Sequence, residues 1–244
     1  MATCPACAQV DPRWEFGSSI SFVTGDYGEP TQTDLIYLPF VAKRYFSQGD
    51  LTLTLPFIDI STDGNAAVST GDIITLTDSD KQDGSGLGDV LLKGRYYAVE
   101  QRDHWPFIDF VAKLKLPTAD ENKNLGTGET DLSLVSEFSR RINAEWFALA
   151  ELGFSWIGDP PGADFNNWWI YSIGAGHAYS SNVTLEGFLD GRTALVDGND
   201  DPLSALFSME YKINPDLRID SLAEIGLNDG APDVGITIGI RQRI

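Results

Sequence analysis

Histidine is scarce in this chain of 244 residues, which holds only His104 and His177. Nucleophilic or acid-base catalysis needs a base that lies beside a nucleophile and an orienting group. Neither histidine has a serine or a carboxylate at a spacing that predicts such a triad. We therefore predict that the chain is not an enzyme.

Cysteine is equally scarce, and both residues, Cys4 and Cys7, lie at the extreme N-terminus in the sequence Cys-Pro-Ala-Cys. A redox motif of this form is normally surrounded by a βαβ pattern, and none follows here. We interpret the pair as incidental or as a simple disulfide, and the sequence leaves open whether the bond forms.

The sequence lacks a clear metal-binding motif. Residues 78–84, of sequence DSDKQDG, have some likeness to a calcium loop, but the glycine falls one place late and position twelve is Asp89 instead of glutamate. We interpret the segment as a solvated acidic loop, with loose divalent binding as the alternative. No metal and no cofactor are predicted.

Long apolar runs are missing, so no segment reaches the roughly 18 residues that a membrane-spanning helix requires. Basic residues are few: 17 lysines and arginines stand against 36 acidic residues, a formal charge of -19. Because nucleic-acid binding depends on clustered positive charge, we predict no nucleic-acid partner. The mean hydropathy of -0.14 does not exclude a membrane protein, since a barrel strand shows lipid only every second side chain.

What the chain does contain is a period-two alternation of apolar and polar residues. Residues 90–98 read VLLKGRYYA and residues 108–116 read IDFVAKLKL. This pattern predicts strands. Extended in both directions, it predicts about twelve strands near 14–24, 33–46, 51–59, 87–100, 105–117, 130–142, 145–157, 166–179, 182–193, 203–213, 216–227 and 233–244.

The connections alternate in length, with tight turns such as 47–50 and 214–216 between longer links such as 60–86 and 118–129. This asymmetry is typical of outer-membrane barrels. The six tryptophans also fall at predicted strand ends, as expected for aromatic girdles. We predict an all-β fold, a transmembrane antiparallel up-and-down β-barrel of about twelve strands over residues 14–244, in the bacterial outer membrane.

Three short segments, GLGDV at 86–90, KLKLPT at 113–118 and LGTG at 125–128, resemble the meta-pathway of phenol degradation family of outer-membrane channels. The resemblance is specific over about residues 86–141. It implies a twelve-strand barrel whose segment before the first strand folds into the lumen, and a role in the uptake of small hydrophobic molecules.

Charged residues alternate with the apolar ones along the strands, and they are tolerable only if they face an aqueous lumen. Two alternative roles follow for them, a pore lining or a structural network that braces the barrel. Their mixed sign suggests ion pairs across the lumen. The predicted pore-lining residues are Lys93, Arg95, Asp109, Lys113, Lys115, Glu137, Arg141, Glu151, Glu186, Arg218, Glu224 and Arg241.

A barrel of twelve strands is too wide for side chains alone to fill. Residues 1–13 are the predicted plug, and the alternative is a disordered periplasmic tail. We expect a passive channel for small, hydrophobic molecules that works as a monomer, with outer-membrane lipid and a small solute as its partners. The alternatives are a non-transporting structural or binding β-protein and a narrow pore for polar solutes.

Overall fold

A computed structural model describes residues 13–28, 30–62, 67–70, 73–76 and 83–244. The predicted plug apart from Arg13, the Cys4–Cys7 pair and most of the calcium-like segment lie outside the described residues. No helix in the described part of the chain is long and apolar enough to cross a membrane.

The described residues form fifteen strands and one short 3₁₀ helix, Glu121–Lys123. The strands are β1 (Trp14–Gly25), β2 (Thr33–Phe46), β3 (Gly49–Thr62), β4 (Ala67–Thr70), β5 (Ile73–Leu76), β6 (Asp83–Leu87), β7 (Val90–Val99), β8 (Phe107–Leu116), β9 (Asp131–Arg141), β10 (Trp146–Trp156), β11 (Trp168–Ala178), β12 (Val183–Arg192), β13 (Leu203–Lys212), β14 (Leu217–Gly226) and β15 (Val234–Arg243).

Each long strand pairs antiparallel with its neighbours in the chain, and the last strand, β15, pairs with β1. Strands β6 and β7 together occupy one position beside β3, while β4 and β5 form a separate hairpin. The sheet is therefore a closed barrel of twelve strands, as predicted. Closure leaves no unpaired strand edge among the twelve, which is the condition for crossing a bilayer with strands.

The tight turns are built by side chains that satisfy backbone N–H groups. Asn143 Oδ1 accepts hydrogen bonds from the N–H groups of Glu145 and Trp146, at 2.9 and 2.8 Å. Asn214 Oδ1 does the same for Asp216 and Leu217, both at 2.9 Å. Asparagine is favoured at such positions because its side chain mimics a backbone acceptor.

The outward face of the barrel is apolar across its middle. Side chains such as Phe40, Phe207 and Ile238 are 56 to 57% exposed, which for large apolar groups indicates contact with lipid. Charged outward residues occur only near the strand ends, in the described strands at Asp34, Asp59, Asp83, Arg44 and Arg140. These charges mark the two limits of the hydrocarbon band, because a charge within it would be costly.

Five of the six tryptophans are exposed on the outer surface, in agreement with the girdle prediction, but Trp168 is 4% exposed. Trp169 follows it directly on β11, so the alternation of a strand places the two rings on opposite faces. Trp168 therefore lies inside the barrel and is not part of the girdle.

The predicted long link at 60–86 was wrong at both ends. Strand β3 continues to Thr62, and β6 pairs with it from Asp83 onward. Ser61 Oγ donates to Asp83 Oδ1 at 2.6 Å on the outer surface of this extension. Here the strands rise beyond the hydrocarbon band, so their outward residues, such as Asp59 and Ser61, are polar and the apolar outward positions that mark the other strands are lost.

Candidate functional site

The lumen is the candidate site, and the strand register defines which side chains face it. Lys93 lies opposite Lys113, Asp109 opposite Glu137, and Glu137 opposite Glu151. Residues paired across neighbouring strands share one face of a sheet. Followed around the ring, the register places all twelve predicted pore-lining residues on the inward face: Lys93, Arg95, Asp109, Lys113, Lys115, Glu137, Arg141, Glu151, Glu186, Arg218, Glu224 and Arg241.

Most of these twelve residues lie along the wall, but Arg141 stands at its rim. It is exposed at the end of β9. Its Nη1 donates to the carbonyl oxygen of Ala144 in the adjacent turn at 3.4 Å, and its backbone N–H donates to Gln101 Oε1 at 2.8 Å. Arg141 therefore contributes to the mouth at the short-turn end and not to the middle of the lumen.

The inward charges pair along the wall. Arg95 Nη2 on β7 lies 2.8 Å from Glu137 Oε2 on β9, and its Nη1 lies 3.8 Å from Asp109 Oδ2 on β8. Next to it, Tyr97 donates to Asp50 Oδ2 at 2.8 Å. These partners are on neighbouring or next-neighbouring strands, so the prediction of cross-lumen ion pairs was wrong for this group.

A second charged cluster, centred on Arg241, lies at the same end of the barrel. Arg241 Nε donates to Asp220 Oδ2 at 2.6 Å, and Nη2 donates to Glu210 Oε2 at 3.0 Å. Arg241 Nη1 also lies 3.9 Å from Glu15 Oε1, which itself accepts a hydrogen bond through Oε2 from Arg243 at 3.2 Å. Again the partners lie on neighbouring or next-neighbouring strands, so these contacts also run along the wall.

Three members of these networks were not identified from the sequence. Lys43 lies 3.8 Å from Asp50, and Arg243 donates to Glu15 and Tyr45. Asp50 was placed in a predicted turn, and Lys43 and Arg243 lie near strand ends where the alternation breaks down. The strand register is the signal that identifies them, since β2 and β3 pair Tyr45 with Asp50, and β1 pairs Glu15 with both Lys43 and Arg243.

The long-loop end of the lumen is apolar on one side. Ile157, Phe165, Trp168 and Leu195 form a buried cluster there, with Ile170 packed against it. Trp168 is also covered by the guanidinium of Arg192, 5.1 Å from the ring centroid. The wall on this side of the mouth is therefore aromatic and aliphatic, with the guanidinium of Arg192 stacked on it.

A series of cavities runs down the lumen from this mouth. The first, about 250 Å³, is lined by Trp168, Ile170 and Lys115, and it shares Asp190 and Arg192 with a second cavity of about 350 Å³.

The second cavity shares Leu222 and Thr237 with a third, of about 400 Å³, which reaches Glu15 and Arg241 near the short-turn end. Together the three cavities extend over most of the length of the barrel.

The two histidines lie away from this path. His177 is near the end of β11, where its ring centroid is 4.5 Å from that of Trp146 and its Nε2 is 3.6 Å from Glu145 Oε2. His104 is exposed in the turn before β8. Among the described residues, no group of three or more histidine, cysteine or acidic side chains is placed to hold a metal ion.

A closed twelve-strand barrel with an apolar outer band and a charged, cavity-bearing lumen defines the class of outer-membrane channels. The sequence identifies the family. Residues 41–244 match the family described as MetA-pathway of phenol degradation, and the chain belongs to it. Fold and family place the chain in the bacterial outer membrane. No curated protein matches the chain in sequence.

Solved structures share the fold at low identity. The KdgM porin has 6% identity and a TM-score of 0.54, with 93% of this chain and 98% of that chain covered. The CymD monoaromatic hydrocarbon channel has 12% identity and a TM-score of 0.52, with coverage of 99% and 91%. The Ralstonia pickettii toluene transporter TbuX has 10% identity and a TM-score of 0.51, with coverage of 98% and 91%.

Proposed function

We propose that this chain is a passive channel that takes up small, largely hydrophobic molecules across the outer membrane. The observation that carries the proposal is the series of three cavities that share residues from the long-loop mouth to the Arg241 cluster. A structural protein has no need of such a path, since an interior of this size would be packed or closed.

The twelve inward charges line this path in our proposal, and the pairing of those around Arg95 and Arg241 along the wall supports an apolar cargo. An ion pair presents a weaker field to its surroundings than an isolated charge does. Paired charges therefore lose less hydration free energy when a hydrophobic molecule displaces the water beside them. The apolar cluster around Trp168 and Phe165 provides a favourable surface at the mouth. Two proteins of similar fold are named for hydrocarbon or toluene transport.

A narrow pore for polar solutes is the second candidate. It is favoured by Asp190, Arg192 and Glu224, which line the second cavity together with the hydroxyl groups of Ser21 and Thr237. In either case we propose a monomer without catalytic activity, since the closed ring leaves no strand edge for a partner chain.

Uptake into liposomes, with and without the protein, tests the function and separates the two cargoes. We expect faster uptake of a small aromatic hydrocarbon, such as toluene, than of a pentose sugar. Faster sugar uptake with no change for toluene would replace the hydrophobic cargo by a polar one. No effect on either solute would leave a non-transporting barrel.

A matched pair of variants tests the path itself. Thr237 lines two of the cavities, whereas its neighbour Ile238 faces lipid and is 57% exposed. Thr237→Trp should slow uptake because the indole fills the lumen, and Ile238→Trp should leave uptake at the wild-type rate. Equal uptake by the two variants would rule out this route.

A further inference from the structure

The link between β8 and β9, residues 117–130, is on the long-loop side but is not exposed in its centre. Asn124, Leu125 and Thr127 are 1%, 2% and 3% exposed. Loops normally lie on the surface, because buried backbone needs partners that water would otherwise supply. We call this segment the inward loop, because its central residues are as buried as a protein core.

Leu125 shows where the loop goes. It belongs to a buried cluster with Val23, Leu35, Ile58 and Ile60. The register pairs Val23 with Leu35 and Leu35 with Ile60, so these side chains share the inward face of the wall. The inward loop therefore lies inside the mouth of the barrel and fills one side of it.

The wall has glycine where the loop contacts it, at Gly84 and Gly86. A Cβ atom on Gly84 would collide with the carbonyl oxygen of Lys123, and one on Gly86 would lie 2.9 Å from Leu125 Cδ1. Gly126 meets the wall from the loop side, where a Cβ would lie 2.7 Å from Asp89 Oδ2. At Gly84 the two backbones themselves are in contact, and such close approach is possible only with glycine.

Polar groups fasten both ends of the loop. Asp89 Oδ1 accepts hydrogen bonds from the N–H groups of Thr118 and Ala119, each at 2.9 Å. Lys115 Nζ donates to Thr127 Oγ1 at 2.8 Å and lies 2.7 Å from Asp131 Oδ2 and 3.6 Å from Asp89 Oδ2. One ammonium group thus connects the wall to both ends of the loop.

The burial of Lys115 supports a distinct role for it. Its side chain is 5% exposed, whereas that of Lys93, on the same inward face, is 32% exposed. A lysine lining open water has no reason to be enclosed, and a buried ammonium is retained only when it is paired and hydrogen-bonded.

We propose that the inward loop is the constriction that sets the size limit of the channel, and that Lys115 is the positioning residue that holds it in place. The proposal rests on the channel function proposed above. The loop packs against β1, β2, β3 and β6, and the path adjoins it. Lys115 and Asp131, which fasten the loop, line the first cavity, and Val23, which packs in the cluster of Leu125, lines the second. The size of a solute that passes is then decided by the loop.

Lys115→Met removes the charge while keeping most of the side-chain volume. Asp89 and Asp131 would then face each other without a cation, so both ends of the loop should detach. Lys115→Arg should preserve the contacts to the carboxylates and keep the loop closed. Lys123→Met is the matched control, since Lys123 belongs to the same loop but its side chain is 59% exposed and 3.8 Å from Asp120.

The experiment combines single-channel conductance with liposome swelling in polyethylene glycols of graded size. We expect Lys115→Met to raise the conductance several-fold and to admit larger polymers, while Lys115→Arg and Lys123→Met keep the wild-type limit. Replacing residues 119–128 by a short Gly-Ser linker should open the channel further. Folding is verified by the heat-dependent mobility of the barrel on gels.

A second rescue variant separates the charge effect from a folding defect. Lys115→Met combined with Asp89→Asn and Asp131→Asn removes the repulsion and should move the size limit back toward that of the wild type. A wild-type size limit in folded Lys115→Met and in the loop replacement would overturn the constriction. If the wild-type protein and the loop replacement both fail to conduct, the channel function itself is wrong.

Discussion

At the scale of single residues, the charges around Arg95 and Arg241 are tolerated in the lumen because they pair with groups on nearby strands. Arg95 contacts Glu137 and Asp109, and Arg241 contacts Asp220, Glu210 and Glu15. Pairing along the wall removes the cost of leaving an ion unmatched in a confined space. It also fixes side chains that would otherwise extend into the path of the solute.

Removing Arg95 should therefore destabilise the barrel. Arg95→Met leaves Glu137 and Asp109 facing each other, and a lost hydrogen bond between charged groups costs about 1 to 3 kcal/mol. We expect a loss of this size in the free energy of unfolding, measured with urea in lipid vesicles. Arg102→Met, in an exposed turn, should change it by no more than about 0.5 kcal/mol. Equal effects of the two substitutions would contradict a bracing role for Arg95.

The sequence predicts the face on which a residue lies but not its partner. Lys113 and Lys115 are indistinguishable in the alternation of β8, yet only Lys115 is enclosed by Asp89, Thr127 and Asp131. The difference depends on how the inward loop folds, and period-two alternation carries no information about a loop. In the same way, Trp168 and Trp169 are adjacent on one strand, so one ring must face the lumen and the other the lipid. Their position at a strand end alone had predicted that both belong to the girdle.

At the scale of elements, most strand boundaries could be predicted because lipid imposes a strict pattern on every second residue. Strand β2 was predicted at 33–46, and the structure has Thr33–Phe46. The prediction failed at β3 and β6, where the wall extends beyond the lipid and the outward residues, such as Asp59 and Ser61, are polar. Once lipid no longer constrains a strand, the sequence resembles that of a loop.

Proline interrupts the ladder between β1 and β2. The β1–β2 register pairs Ser18 with Phe40 and next pairs Ser21 with Tyr37, so no bridge forms at the positions between, where Pro39 lies. Proline has no N–H group to donate to the ladder. Pro39→Val should restore a donor and stabilise the barrel by about 0.5 to 1.5 kcal/mol, the net value of one hydrogen bond. Urea unfolding tests this, and a lower stability would mean that the ring of Pro39 contributes more by packing.

The two faces of a strand should respond oppositely to one substitution. On β14, Ala223 faces lipid and Leu222 lines the lumen cavities. Ala223→Lys should cost about 2 to 4 kcal/mol, the value for a lysine near the bilayer midplane. Leu222→Lys should cost much less, since its ammonium would enter water. The free energies of unfolding in vesicles decide the matter, and a reversed order would show that the register around the ring is wrong.

At the scale of the whole molecule, the formal charge of -19 is not spread evenly. The lumen nearly balances acids and bases, so the excess lies elsewhere. In the described loops at the long-loop end, Lys123 is the one basic residue, and the carboxylates on or beside these loops are Asp26, Asp34, Asp59, Asp83, Asp120, Glu121, Glu129, Asp159, Asp164, Asp197, Asp200, Asp201, Asp229 and Asp233.

The short-turn end has no such excess. Arg13, Arg44, Arg102 and Arg140 lie there among a few carboxylates, and Arg13 pairs with Asp216 at 3.8 Å. Seen from outside the cell, the channel therefore presents a negative mouth ahead of a nearly neutral lumen. A mouth of one sign concentrates counter-ions and repels ions of its own sign, whereas a neutral solute is unaffected.

The conducted ions should accordingly be mainly cations. Under a gradient of potassium chloride across a planar bilayer, we expect a reversal potential on the cation-selective side. The selectivity should fade as salt rises, since screening shortens the reach of a charge from about 10 Å at 0.1 M to about 3 Å at 1 M.

Asp164→Asn combined with Asp200→Asn and Asp229→Asn should weaken the cation selectivity at low salt. Glu100→Gln with Asp103→Asn, at the short-turn end, should have a smaller effect because arginines balance that rim. Toluene uptake should not change in either variant, because a neutral molecule does not respond to the field of the mouth. Anion selectivity, or a selectivity independent of salt, would mean that the paired charges of the lumen, and not the acidic mouth, decide which ions pass.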